Sequence, residues 1–142
     1  YSNNFLSGVT LNLKWGAIVG LVAMAIYSGL NPLGSGLSFP PLFFAQIIGM
    51  SLCGIIGGIL KPFFFVKKFS FLKLFLLGLA GFLVTFLYDV ITLVSYPLFS
   101  GLGFPGIIAS LIKGLGFTLL HEISNIFIFL ITVPRVVQFL KK

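Results

Sequence analysis

Four apolar runs dominate the chain, each closed by polar or turn-forming residues. Segment A covers residues 15–30, segment B 41–60, segment C 74–96 and segment D 107–133. About 20 apolar residues cross the roughly 30 Å hydrocarbon core of a bilayer, so these runs predict transmembrane helices. Segment A is short for a span and is expected to start before Lys14 or to sit where the bilayer is thin. The breaks carry turn chemistry: NPLGSGLSFPP follows segment A, and Pro97 with SGLGFPG is expected to end segment C. Pro40 and Pro41 suit a helix start, where a missing N–H costs nothing. Dividing segment D at Gly114–Gly116 would leave too few apolar residues for a separate span, so it is read as one helix. Residues 1–13 are mixed in character and too short to span.

Within the runs, small residues recur at helical spacing. Gly16 and Gly20 do so in segment A, and Gly54 and Gly58 in segment B, with Gly49 and Cys53 on a neighbouring ridge. Gly78 and Gly81 open segment C. Such spacing lets helix backbones approach closely. Polar residues fall on two stripes. Thr85, Asp89, Thr92 and Tyr96 step by four, three and four along segment C. Gly114, Thr118, His121 and Asn125 do the same along segment D. Each set therefore shares a helix face. Glu122 lies about 100° round the helix from His121 and can still border the same interior. The expected architecture is all-α: one membrane bundle over residues 1–142, enclosing a small polar interior.

Composition strengthens that reading. The chain is 58% hydrophobic and only 8% charged, against roughly a quarter charged in soluble domains, so it cannot coat a water-facing surface. The net charge of +7 would suggest nucleic acid in a soluble protein. Here the basic residues stand at the ends of apolar runs, and no aromatic-interleaved basic patch exists, so nucleic acid is not expected as a partner. Their distribution sets an orientation. With the Lys61–Lys73 connector in the cytoplasm, Lys14 and the Arg135–Lys142 tail face the same side, and only Lys113 lies near the outside. The protein is thus expected in the cell membrane as a multi-pass chain with a cytoplasmic C-terminus. Loops 31–40 and 97–106 would face outward, and the polar interior would open there.

His121 is the only histidine, and Asp89 and Glu122 are the only acids. Ionisable groups inside a membrane are costly and usually functional. Asp89 reads as a ligand partner, or as an acid neutralised by protonation or by Tyr88, Thr92 or Lys113. His121 and Asn125 read as ligand contacts or as interhelical glue. Glu122, Tyr88 and Tyr96 are further candidates, whereas Gln46, Asn31 and Thr118 fit structural roles better than ligand contact. Trp15 suits an interface anchor. HEISN lacks the second histidine of a zinc-protease helix, and the lone Cys53 makes no metal site, so no metal or cofactor is expected. No nucleophile–base–orienter set and no phosphate-cradling Gly-Lys-Ser/Thr loop is visible, so no enzymatic activity is expected. A structural subunit of a membrane complex, or an intramembrane enzyme using Asp89, His121 and Glu122, are the competing readings.

Four stretches resemble the substrate-binding S components of energy-coupling factor (ECF) transporters. WGAIVGLVAMAIYSGL followed by FPPLFFAQIIGMSLCGIIGGIL is similar to two adjacent helices of that family, and GLAGFLVTFLYDVIT to its penultimate helix. GFTLLHEISNIFIFLITVPRVVQFLKK is similar to the last helix and its basic tail. The resemblance implies a six-helix fold with both termini cytoplasmic, of which this sequence matches the last four. The first two helices are then expected to be missing at the N-terminus. It further implies capture of a vitamin or related micronutrient, and import by toppling in the membrane. The partners implied are a transmembrane coupling protein and two ATPase subunits, and this chain itself performs no catalysis. On this resemblance Asp89, His121, Glu122 and Asn125 line the pocket, and the other candidates are Gln46, Tyr88, Thr92 and Thr118.

Overall fold

The computed structural model describes residues 1–31 and 36–142. Six α-helices follow in order: α1 (Ser2–Thr10), α2 (Leu13–Leu30), α3 (Pro40–Ile59), α4 (Lys61–Phe64), α5 (Phe71–Phe99) and α6 (Gly103–Leu140), with one 3₁₀ turn at Gly36–Ser38. The described residues contain no strand, and the protein is an all-α bundle. Four helices, α2, α3, α5 and α6, are long and apolar enough to cross a membrane. By length and composition the chain is therefore a multi-pass membrane protein. Part of the NPLGSGLSFPP loop, residues 32–35, lies outside the described residues.

The helices pack in series, α2 on α3, α3 on α5 and α5 on α6. The short α1 packs against α2, α3 and α6. Glycine makes the α1–α2–α3 contact possible. A Cβ on Gly16 would strike the Gly54 carbonyl oxygen and the Gly8 Cα, and one on Gly20 would strike Met50 O. Gly8 lies equally close to Gly54, Gly57 and Gly58. The glycine spacing read from segments A and B thus marks a real interface, which α1 shares. Beneath it Phe5, Val9, Leu77, Val84, Phe129, Val133 and Val137 form a fully closed apolar core, with Phe5 and Phe129 ring centroids 5.1 Å apart.

Two helices run beyond the sequence expectation at both ends. Pro97 does not end the third span, because α5 continues to Phe99. Proline has no N–H to give the carbonyl four residues back, which is that of Leu93. The Ser110 hydroxyl of α6 donates to Leu93 O instead, at 2.8 Å, so that carbonyl keeps a donor. The fourth span is longer than residues 107–133: α6 runs unbroken for 38 residues, through Pro134 to Leu140. It starts early because Gly101 and Gly103 take positive φ values of 68° and 61°, a turn that glycine tolerates, and Pro105 then falls in the first helical turn.

All the basic residues but Lys113 gather at one end of the bundle. The Lys61 ammonium donates to the carbonyls of Thr10 (3.0 Å) and Leu11 (2.7 Å), closing the C-terminus of α1. Lys141 sits over the Phe65 ring at 4.4 Å, which places the C-terminal tail beside the Lys61–Lys73 connector.

Candidate functional site

Above the apolar core, towards the end opposite most of the lysines, the helices part around an open cavity of about 1090 Å³. Its walls come from the second half of α2, the first half of α3, the second half of α5 and the first half of α6. The first turn of α1 supplies Tyr1, Asn3 and Asn4 at the floor, beside Met50, Tyr88 and His121. Aromatic rings dominate the surface: Tyr27, Phe39, Tyr96 and Phe117 stand higher up the wall.

The floor is organised by one bond. His121 Nδ1 lies 2.8 Å from Asp89 Oδ1, linking α6 to α5. Asp89 is only 2% exposed, so the bond partners a carboxyl oxygen that is shut away from solvent. His121 is partly exposed and lines the cavity. Tyr1 closes edge-on against both Tyr88 (4.8 Å between centroids) and His121 (4.7 Å). Phe117 flanks the imidazole at 5.1 Å.

Comparison with known proteins finds no matching family model, no matching curated protein and no matching solved structure. The site is therefore read from its own geometry.

Five of the eight sequence candidates meet at the cavity: Gln46, Tyr88, Asp89, Thr92 and His121. Gln46 is held by the Ser28 hydroxyl of α2, which donates to its side-chain oxygen at 2.5 Å. Tyr88 rests flush on Gly49, where a Cβ would press into its ring. Thr92 lines the wall, but its hydroxyl donates to the backbone oxygens of Tyr88 (3.0 Å) and Asp89 (3.1 Å). The expected partners of Asp89 were Tyr88, Thr92 or Lys113; its bonded side chain is His121. The other oxygen, Oδ2, is sealed from solvent without a partner among the described residues. Asp89 thus orients the imidazole rather than offering its own carboxylate to the cavity.

The remaining three candidates lie off the cavity. Asn125 is one turn deeper than His121, below the floor, and donates to the His121 backbone oxygen at 3.0 Å. Glu122 is turned a third of the way round α6 and is 4% exposed, with neither carboxylate oxygen partnered among the described residues. Thr118 also keeps a buried, unpartnered hydroxyl. No three His, Cys, Asp or Glu side chains among the described residues are placed to hold a metal ion.

Several lining residues escaped the sequence reading. Ser95 and Ser110 donate to backbone oxygens, of Thr92 and Leu93 respectively; Ser110 stands four residues before Gly114 and Ser95 three after Thr92, so both extend the polar stripes. The α1 residues left a signal too. Phe5, Gly8 and Val9 fall on one helical face of YSNNFLSGVT, with polar Tyr1 and Asn4 one turn earlier.

Proposed function

We propose that the chain is the membrane-embedded capture subunit of an ECF-type importer, taking a vitamin or related micronutrient from outside the cell. The observation that carries this reading is the 2.8 Å Asp89–His121 bond on the floor of a cavity of about 1090 Å³. That volume suits a small-molecule site. A buried ionisable pair at membrane depth suits a substrate contact better than a packing contact. The eight basic residues away from the cavity favour a cytoplasmic position for the opposite end, which leaves the cavity open outward. The cavity places no nucleophile beside a free base, so binding fits better than catalysis. A transmembrane coupling protein and two ATPases would then supply the energy.

The test compares small molecules retained by the detergent-purified protein with those retained by variants. His121→Ala is expected to lower retention at least tenfold, and Asp89→Ala to lower it several-fold by releasing the ring. Asn125→Ala, below the floor, is expected to change it less than threefold. Mass spectrometry of the extracts and the elution profile of each variant provide the readouts. Equal retention by the wild type and a folded His121→Ala variant overturns the assignment.

A further inference from the structure

Two apolar grooves run along the flanks of the bundle, and only one has a charged head. The first, of about 660 Å³, lies between α3, α4 and α5 and is walled by Ile56, Leu60, Phe63, Leu76, Leu83 and Leu87 among others. The second, of about 620 Å³, lies between α3 and α5 at the opposite end. The stretches that line the second, 40–48 and 90–99, hold no Lys or Arg.

The first groove ends at the connector. Lys73 begins the α5 stripe that continues through Leu76, Ala80, Leu83 and Leu87 at steps of three and four, so it lies on the groove's face of α5, one turn before the first α5 residue that lines it. Lys67 and Lys68 are exposed in the connector beside it. No acid offsets them, because Asp89 and Glu122 are buried in the span interiors. The wall from Leu76 to Val90 extends roughly 21 Å at 1.5 Å per residue, a little more than half of the roughly 30 Å hydrocarbon core.

We infer that this groove holds one acyl chain of an anionic phospholipid, with the lipid phosphate between Lys67, Lys68 and Lys73. Lysines near an anionic surface each contribute attraction of their own. The groove adds a fixed apolar channel directly beneath them.

The test measures retained and added lipid by native mass spectrometry, with phosphatidylglycerol and phosphatidylcholine as probes. The wild type is expected to bind phosphatidylglycerol at least fivefold over phosphatidylcholine. The triple variant Lys67→Gln, Lys68→Gln, Lys73→Gln is expected to lose that preference. Leu83→Trp fills the groove from a position 54% exposed, and is expected to lower phosphatidylglycerol binding while the bundle stays folded. Lys14→Gln with Arg135→Gln and Lys142→Gln removes the same three charges from residues that do not line the groove, and is expected to have little effect. Equal losses from the two lysine and arginine sets reduce the effect to general surface charge and overturn the site. Unchanged binding by Leu83→Trp overturns it as well, and leaves the groove to a partner helix.

Discussion

At the scale of single residues, three ionisable side chains occupy the interior, and the structure gives them unlike roles. Asp89 and His121 share one bond across α5 and α6, through Oδ1 and Nδ1. Glu122, the next residue, has no partner for either oxygen among the described residues. An unsatisfied buried polar group costs about 1–3 kcal/mol, so Glu122→Leu, similar in volume, is expected to stabilise the bundle by about that amount. Thermal unfolding in detergent checks this, and a lowered melting temperature would reveal a partner for the carboxylate. The stripe arithmetic put Asp89 and His121 on interior faces because 100° per residue is a property of any helix. Their pairing was not legible, because it depends on the register between two helices. Asn125 shows the same limit. It shares the His121 stripe, yet one helical turn of depth separates it from the cavity.

At the scale of elements, close backbone approach depends on glycines, and proline tolerance depends on a neighbour. Gly54→Ala would drive a methyl into the Gly16 carbonyl and is expected to separate α2 from α3, seen as a loss of monodisperse protein or a large drop in melting temperature. Gly116→Ala has open space around its Cβ and is expected to be neutral or to stabilise by about 0.4–1 kcal/mol through the unfolded chain. Ser110→Ala leaves Leu93 O without its donor, at an expected cost of about 1 kcal/mol. In a Pro97→Ala background the restored N–H serves that carbonyl, and the same change at Ser110 is expected to cost less. A double-mutant cycle on unfolding free energies measures the difference. The glycine ladder was legible from spacing alone. The continuation of α5 past Pro97 was not, because the compensating hydroxyl comes from the next helix.

At the scale of the whole molecule, the bundle is polarised, with a cavity at one end and most of the lysines at the other. α6, at 38 residues, is roughly 57 Å long at 1.5 Å per residue, so it extends beyond a roughly 30 Å core. The proposed orientation is testable with single cysteines, since the native Cys53 is buried. Ser100→Cys is expected to react with a membrane-impermeant maleimide on intact cells, and Lys68→Cys only after permeabilisation. The reverse pattern would place the cavity on the cytoplasmic side.

The linear chain by itself determined the helical class, the four spans and the end at which the basic residues collect. These follow from hydropathy, turn chemistry and helical periodicity, which act within a few residues of one another. Tertiary structure alone decided that α1 reaches the cavity floor, that Asp89 grips His121, and that Glu122, Thr118 and Asn125 stand aside. Those outcomes depend on interhelical register and depth, which arise only when the glycine faces have brought the helices together.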